Sequence, residues 1–191
     1  MNNNLAYQDD AKIELINGEV TAMSPRPSFN HNRIASNVYW AFENYLRHKR
    51  CTAIADGTDL YLTEKDRFVP DMMVVCDREK IQHDGVHGAP DLVVEVLSPG
   101  TLRNDRGHKK DLYARCGVKE YWIVNPADKS VESYRADGRG LALYDIYTLR
   151  PDWELKQMTD EERAALVTQF KCSLFDDLDI FLDDIFSGLL P

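Results

Sequence analysis

Alternation with a period of two opens the chain. Lys12-Ile-Glu-Leu-Ile16 and Glu19-Val-Thr-Ala-Met23 read as two strands around Asn17-Gly18. Asn-Gly is the pair that most readily takes the positive φ a two-residue hairpin turn needs. Ser24-Pro-Arg-Pro27 breaks the pattern, and from about 30 to 49 the period becomes helical. Ile34, Val38, Ala41, Phe42, Tyr45 and Leu46 fall on one face, with His31 in line with Val38 and Phe42. Short apolar runs at 51–55, 58–63 and 69–75 predict strands, and the polar stretch 77–89 predicts a connection containing at most one helical turn. A strand at 92–97, a turn at Ser98-Pro-Gly-Thr101 and a helix at 105–115 follow, with Gly117 as its C-terminal stop. Tyr121-Trp-Ile-Val124 predicts a buried strand, and 130–134 with 141–148 predict a hairpin around Asp137-Gly138. In the tail, 170–175 reads as a strand and 179–186 as a short amphipathic helix. This order predicts an α/β (α+β) fold: a mixed β-sheet flanked by helices, with an N-terminal β-hairpin.

Composition sets the class without changing that picture. With 191 residues, 43% hydrophobic and 29% charged, the chain suits one domain over 1–191 with a sizeable core. No apolar run approaches the roughly 20 residues of a membrane span, and the first ten residues lack the pattern of a secretion signal. Cys51, Cys76, Cys116 and Cys172 form no Cys-x-x-Cys pair, which points to reduced thiols and a cytoplasmic location. The net charge of −9 opposes a nucleic-acid partner. Its distribution weakens the objection: 151–191 holds ten acids and three bases, leaving −2 for residues 1–150. The stretches 26–50 and 101–115 carry five bases each.

Three residues carry the candidate chemistry. Asp71 stands in the 69–75 run, Glu95 lies inside the 92–97 strand, and Lys109 follows on the next helix. An ionised carboxylate among branched apolar residues is costly unless it is paired or binds a cation; a strand with one wet face is the alternative for Glu95. Asp91 is a rival partner for Glu95, but four residues of extended strand separate them by about 13 Å. Ligands of one Mg²⁺ must each approach to about 2.1 Å, so Asp71, from another strand, is the better partner. Around the helix at 100° per residue, Leu112, Cys116 and Tyr113 mark the apolar arc, and Lys109 falls inside it at about 40° from Asp105. A lysine aimed at the core suits a buried acidic site, and Asp105 at i−4 can support it. His31 is either structural or able to reach a phosphate or donate a proton. Glu14 and Glu19 are weaker candidates for an accessory acid.

The chain lacks a Gly-rich phosphate loop, a Gly-x-Ser-x-Gly elbow and a His-Glu-x-x-His helix. A glycosidase-like use of Asp71 and Glu95 would leave Lys109 without a role.

Taken in order, Lys12-Ile-Glu-Leu-Ile-Asn-Gly-Glu-Val-Thr-Ala-Met-Ser-Pro25, His31, Val-Pro-Asp71, Gly-Ala-Pro-Asp-Leu-Val-Val-Glu-Val-Leu-Ser-Pro99, Asp-Arg-Gly-His-Lys109 and the run from Leu112 to Pro126 resemble the Uma2 family of the PD-(D/E)xK restriction-endonuclease-like superfamily. The resemblance covers roughly 10–150, with 151–191 as an acidic extension. It implies metal carboxylates at Asp71 and Glu95 and a further ligand in the backbone carbonyl of Val96. The superfamily's usual lysine position, two after the glutamate, is Leu97 here, and the family reading moves that lysine to Lys109. The resulting expectation is a Mg²⁺- or Mn²⁺-dependent endonuclease-like phosphodiester hydrolase. Its partner would be nucleic acid, DNA ahead of RNA, with a homodimer suited to cutting two strands. The alternative is a catalytically silent nuclease-fold module that binds nucleic acid or protein.

Overall fold

The structure is a computed structural model that describes residues 13–22 and 27–190. Lys12, Met23 and Ser24-Pro-Arg26, which figured in the hairpin and its break, lie outside these residues.

The Asn17-Gly18 turn joins β1 (Ile13–Ile16) to β2 (Glu19–Ala22), with φ of 53° and 85° at the two turn residues. Helix α1 (Phe29–Leu46) begins at Ser28, whose hydroxyl accepts from the His31 N–H. It buries Ile34, Ala35, Val38, Phe42 and Leu46. β3 (Thr52–Ala55), β4 (Leu60–Thr63), β5 (Asp66–Phe68) and β6 (Met72–Val75) follow. A 3₁₀ turn (Arg78–Lys80), β7 (Ile81–Gln82) and β8 (Gly85–His87) occupy the predicted connection. β9 (Leu92–Val96) leads into α2 (Leu102–Asn104), a π-helical turn (Asp105–Lys109) and α3 (Lys110–Cys116), stopped by Gly117 at φ 96°. Then come β10 (Glu120–Asn125), β11 (Ser130–Ala136), β12 (Leu141–Thr148), α4 (Asp152–Leu155), α5 (Asp160–Ala164), β13 (Gln169–Lys171), β14 (Asp179–Phe181) and α6 (Leu182–Ile185).

The sheet that carries the site runs β12-β11-β10-β9-β6-β3, with β9 and β10 parallel across the helical crossover and the other pairs antiparallel. One face, with Met72, Val74, Leu92, Val94 and Trp122, packs on α1 and on Phe170, Ile180, Leu182 and Ile185 of the tail. The other, with Met73, Val75, Val93 and Ile123, packs on Leu112 and Tyr113 of α3. Leu60, Phe68 and Val86 complete that second core. They come from a second six-stranded sheet, β2-β1-β5-β4-β8-β7. All five residues of β9 are buried, as a strand covered on both faces requires.

Several expectations need correction. The mixed sheet is accompanied by the second sheet, in which β5, β7 and β8 are strands of two or three residues, too short to show a period. The 69–75 run enters its strand only at Met72, so Asp71 lies just outside β6. The helix expected over 105–115 starts at Leu102 and contains the π turn. In the tail, the first strand is only Gln169–Lys171, and Asp179–Phe181 pairs with it as β14 before α6 begins. Cys51 and Cys76 are joined in a disulfide, leaving Cys116 and Cys172 as free thiols. The pairing arises because Thr52 lies opposite Val75 in the β3–β6 ladder, which sets the two flanking cysteines face to face. Sequence spacing cannot reveal that, and the thiol argument for a cytoplasmic location falls with it. Among the described residues no helix is long and apolar enough to cross a membrane.

Candidate active site

Antiparallel pairing sets Met72 opposite Val94 and Met73 opposite Val93. The ladder ends there, and Asp71, just before β6, reaches the residue after Glu95: its side chain accepts from the Val96 N–H. It lies near enough to Glu95 for its charge to raise the Glu95 pKa. Asp91 is engaged elsewhere, accepting from the Cys76 N–H at 2.7 Å and from Lys119 at 2.7 Å.

Asp71 Oδ2 accepts from the Val96 N–H at 2.7 Å and lies 3.3 Å from His31 Nε2. Burial lowers the imidazole pKa, but the Asp71 hydrogen bond and charge outweigh it and raise the value. α1 thus delivers one histidine from its first turn to the Asp71–Val96 corner.

Lys109 lies on the Glu95 side of this corner and is 2% exposed. Its Nζ is 2.8 Å from Glu14 Oε1, 3.2 Å from Glu95 Oε1 and 3.5 Å from Asp105 Oδ1. Tyr113 donates to the same Glu95 oxygen at 2.9 Å. Tyr121 donates to the Asp105 carbonyl at 3.1 Å, tying the π turn to β10. Burial is the main reason that Glu95 is pushed well above the usual carboxylate range. Lys109 opposes the rise, and Asp105, Asp71 and Glu14 add to it. Burial likewise raises Asp105 against the pull of Lys109. For Lys109 burial lowers the pKa, but Glu95, Glu14 and Asp105 together raise it, so the ammonium stays charged.

The structure therefore brings Asp71, Glu95, Lys109, Asp105, His31 and the Val96 backbone into one region. Two further residues belong to it. Glu14, a lesser candidate by sequence, makes the shortest contact to Lys109, while Glu19 is exposed on β2. Tyr113 counted only as an apolar helix position, and its hydroxyl left no trace in the pattern. On β1 this acid, Glu14, is buried while Ile13 is 39% exposed, an inversion that only the structure reveals.

The charge and chemistry of these groups suit a hard divalent cation. Apart from the His31 imidazole they offer oxygen, and Glu14, Asp71, Glu95 and Asp105 outnumber Lys109 as charges. Glu14 Oε1 and Asp105 Oδ1 are buried with no aligned hydrogen-bond donor. Among the described residues no three His, Cys, Asp or Glu side chains form a ready-made metal cage. Two carboxylates and a carbonyl nevertheless suit Mg²⁺, which keeps several of its waters. The residues fit.

A crystal structure of "a putative nuclease belonging to DUF820" from Anabaena variabilis aligns at a TM-score of 0.67 and 21% identity. The alignment covers 92% of this chain and 89% of that one, and it shows the shared fold. Residues 3–165 match the family Uma2, described as "Putative restriction endonuclease". An uncharacterized protein of Synechocystis is 30% identical over 149 residues, covering 77% of this chain and 78% of that protein. The chain belongs to the Uma2 family.

Proposed function

We propose that this protein is a nuclease that hydrolyses phosphodiesters of nucleic acid with Mg²⁺ or Mn²⁺. The observation that carries the reading is the buried Lys109 ammonium on Glu95, with Asp71 held on the N–H of the next residue, Val96. Asp71, Glu95 and the Val96 carbonyl would hold the cation. When bound, such an ion lowers the pKa of a coordinated water and offsets phosphate charge.

The chain's own groups do the rest. Lys109 donates to the attacking water and balances the negative charge that grows on the phosphate. Asp105 and Glu95 confine the ammonium to one side of the π turn, and Tyr113 fixes Glu95 by its Oε1. His31 and the Val96 N–H both address Asp71 Oδ2, which orients that carboxylate. DNA ranks ahead of RNA as substrate, and a homodimer would allow cleavage of both strands.

Cleavage of single- and double-stranded DNA and RNA, with Mg²⁺ or Mn²⁺, tests the proposal. Glu95→Ala and Lys109→Ala are each expected to lower the rate by about 100-fold or more. Equal rates in both variants and the wild type would sink the site assignment. The second reading, a catalytically silent nuclease-fold module, draws on the net charge of −9 and on the lack of a three-ligand cluster among the described residues. It predicts no cleavage and no Mg²⁺ or Mn²⁺ binding at millimolar concentration.

A further inference from the structure

Lys109 donates to Glu95, the carboxylate that the cation of the proposed site would also need. An ammonium that paired fully with Glu95 would shut the ion out. Glu14 lies on the opposite side of that competition, because its contact to Lys109 is the shortest of the three.

Glu14 does not come from the site's own sheet. It rides on β1, which pairs with β5 through Leu15 and Arg67. The hairpin is pinned by bonds that do not involve Lys109. The Asn17 N–H donates to Asp66 Oδ1 at 2.8 Å, and the Gly18 N–H donates to the Lys65 carbonyl at 2.8 Å. Asp66 is in turn held by Thr63 Oγ1 at 2.6 Å. Glu14 is therefore an acid fixed from outside the site and aimed at Lys109, on a strand that turns Ile13 outward.

We propose that Glu14 is a positioning residue: it holds the Lys109 ammonium and so keeps Glu95 available to a divalent cation, without being a ligand itself. This rests on the reading of Asp71 and Glu95 as the cation site. In Glu14→Gln the attraction on Lys109 falls to Glu95 and Asp105 alone, and the tighter Lys109–Glu95 pair competes with the ion. In Glu14→Gln with Lys109→Met the competitor is gone and the charge balance of the wild type returns.

The test is Mn²⁺ affinity of the full chain by titration calorimetry. Glu14→Gln is expected to raise the dissociation constant about tenfold or more, the scale on which groups behind a metal's ligands act. The Glu14→Gln/Lys109→Met double variant should return to near the wild-type value, and Glu14→Asp, which keeps the charge, should stay close to it. Unchanged affinity in Glu14→Gln overturns the proposal. So does a loss that persists in the double variant, since Glu14 would then be a ligand. Wild-type protein that binds no Mn²⁺ at millimolar concentration overturns the cation site itself, a separate result that removes this inference with it. Thermal unfolding of each variant distinguishes a changed site from a lost fold.

Discussion

Glu95 is poised between two uses. Its Oε1 receives Tyr113 and Lys109, yet burial still pushes its pKa well above the ordinary 4.5. The folded protein thus keeps a proton on Glu95 that the unfolded chain gives up near pH 4.5. Folded protein binding more protons than unfolded means that stability falls as pH rises from about 4.5 to the raised pKa. Glu95→Gln removes that loss. In metal-free buffer at pH 8 the variant is expected to melt above the wild type by about 2–4 °C, the shift that ~1 kcal/mol produces in a chain of this size. The gap should close towards pH 4.5. Melting curves that coincide at both pH values would contradict this description of Glu95. A stabilising change at the proposed metal carboxylate is the trade that functional sites commonly make.

Residue-scale legibility was uneven for physical reasons. Lys109 could be placed on the core side because a helix wheel exposes a charge inside an apolar arc. Glu95 stood out as an acid in a branched apolar strand. Glu14 was readable only as an inverted strand, and that inversion shows only once Ile13 is known to face outward. The partnership of Asp71 with Glu95 followed from excluding Asp91 by length. The His31–Asp71 contact depends on where α1 crosses the sheet edge, which no local pattern encodes.

At the level of elements, the decisive piece is the π turn Asp105–Lys109 between α2 and α3. A π turn is an α-helix with one residue too many, and such turns often occur at functional sites. Gly107 sits within it, and a Cβ there would meet nothing within 4 Å, so the residue is not required by packing. Deleting Gly107 should restore regular α-helix with the flanks nearly in phase, leaving Asp105 and Lys109 three residues apart instead of four. Closing the wide turn would draw Lys109 about 1.5 Å along the axis, out of its place beside Glu95. The expected result is cleavage reduced by about 100-fold, as misplacement of a catalytic group does, with helical content by circular dichroism unchanged. Full activity in the deletion variant would show that the π turn does not position Lys109. The wheel that singled out Lys109 assumed a uniform 100° per residue. α1 was legible from its long helical period, and β9 and β10 from their continuous apolar runs. β5, β7 and β8 were not, since two or three residues carry no period.

Across the whole molecule, the acidic tail is not set against the site. Phe170, Ile180, Leu182, Ile185 and Phe186 join the core under α1, on the far face of the sheet from Lys109. Asn37 and Arg33 of α1 bond back to the carbonyls of Ile185 and Ser187. Arg106 is also engaged, in an ion pair with Glu132, and so is not simply a solvated base awaiting phosphate. The family could be read from ordered motifs, whereas the second sheet and the disulfide required long-range pairing. The central claim is that Asp71 and Glu95 share one divalent cation beside a charged Lys109. Anomalous diffraction from crystals soaked in Mn²⁺ tests it directly. The account predicts a peak about 2.1–2.3 Å from both carboxylates and near the Val96 carbonyl; no peak between them at millimolar Mn²⁺, with peaks only elsewhere, would contradict it.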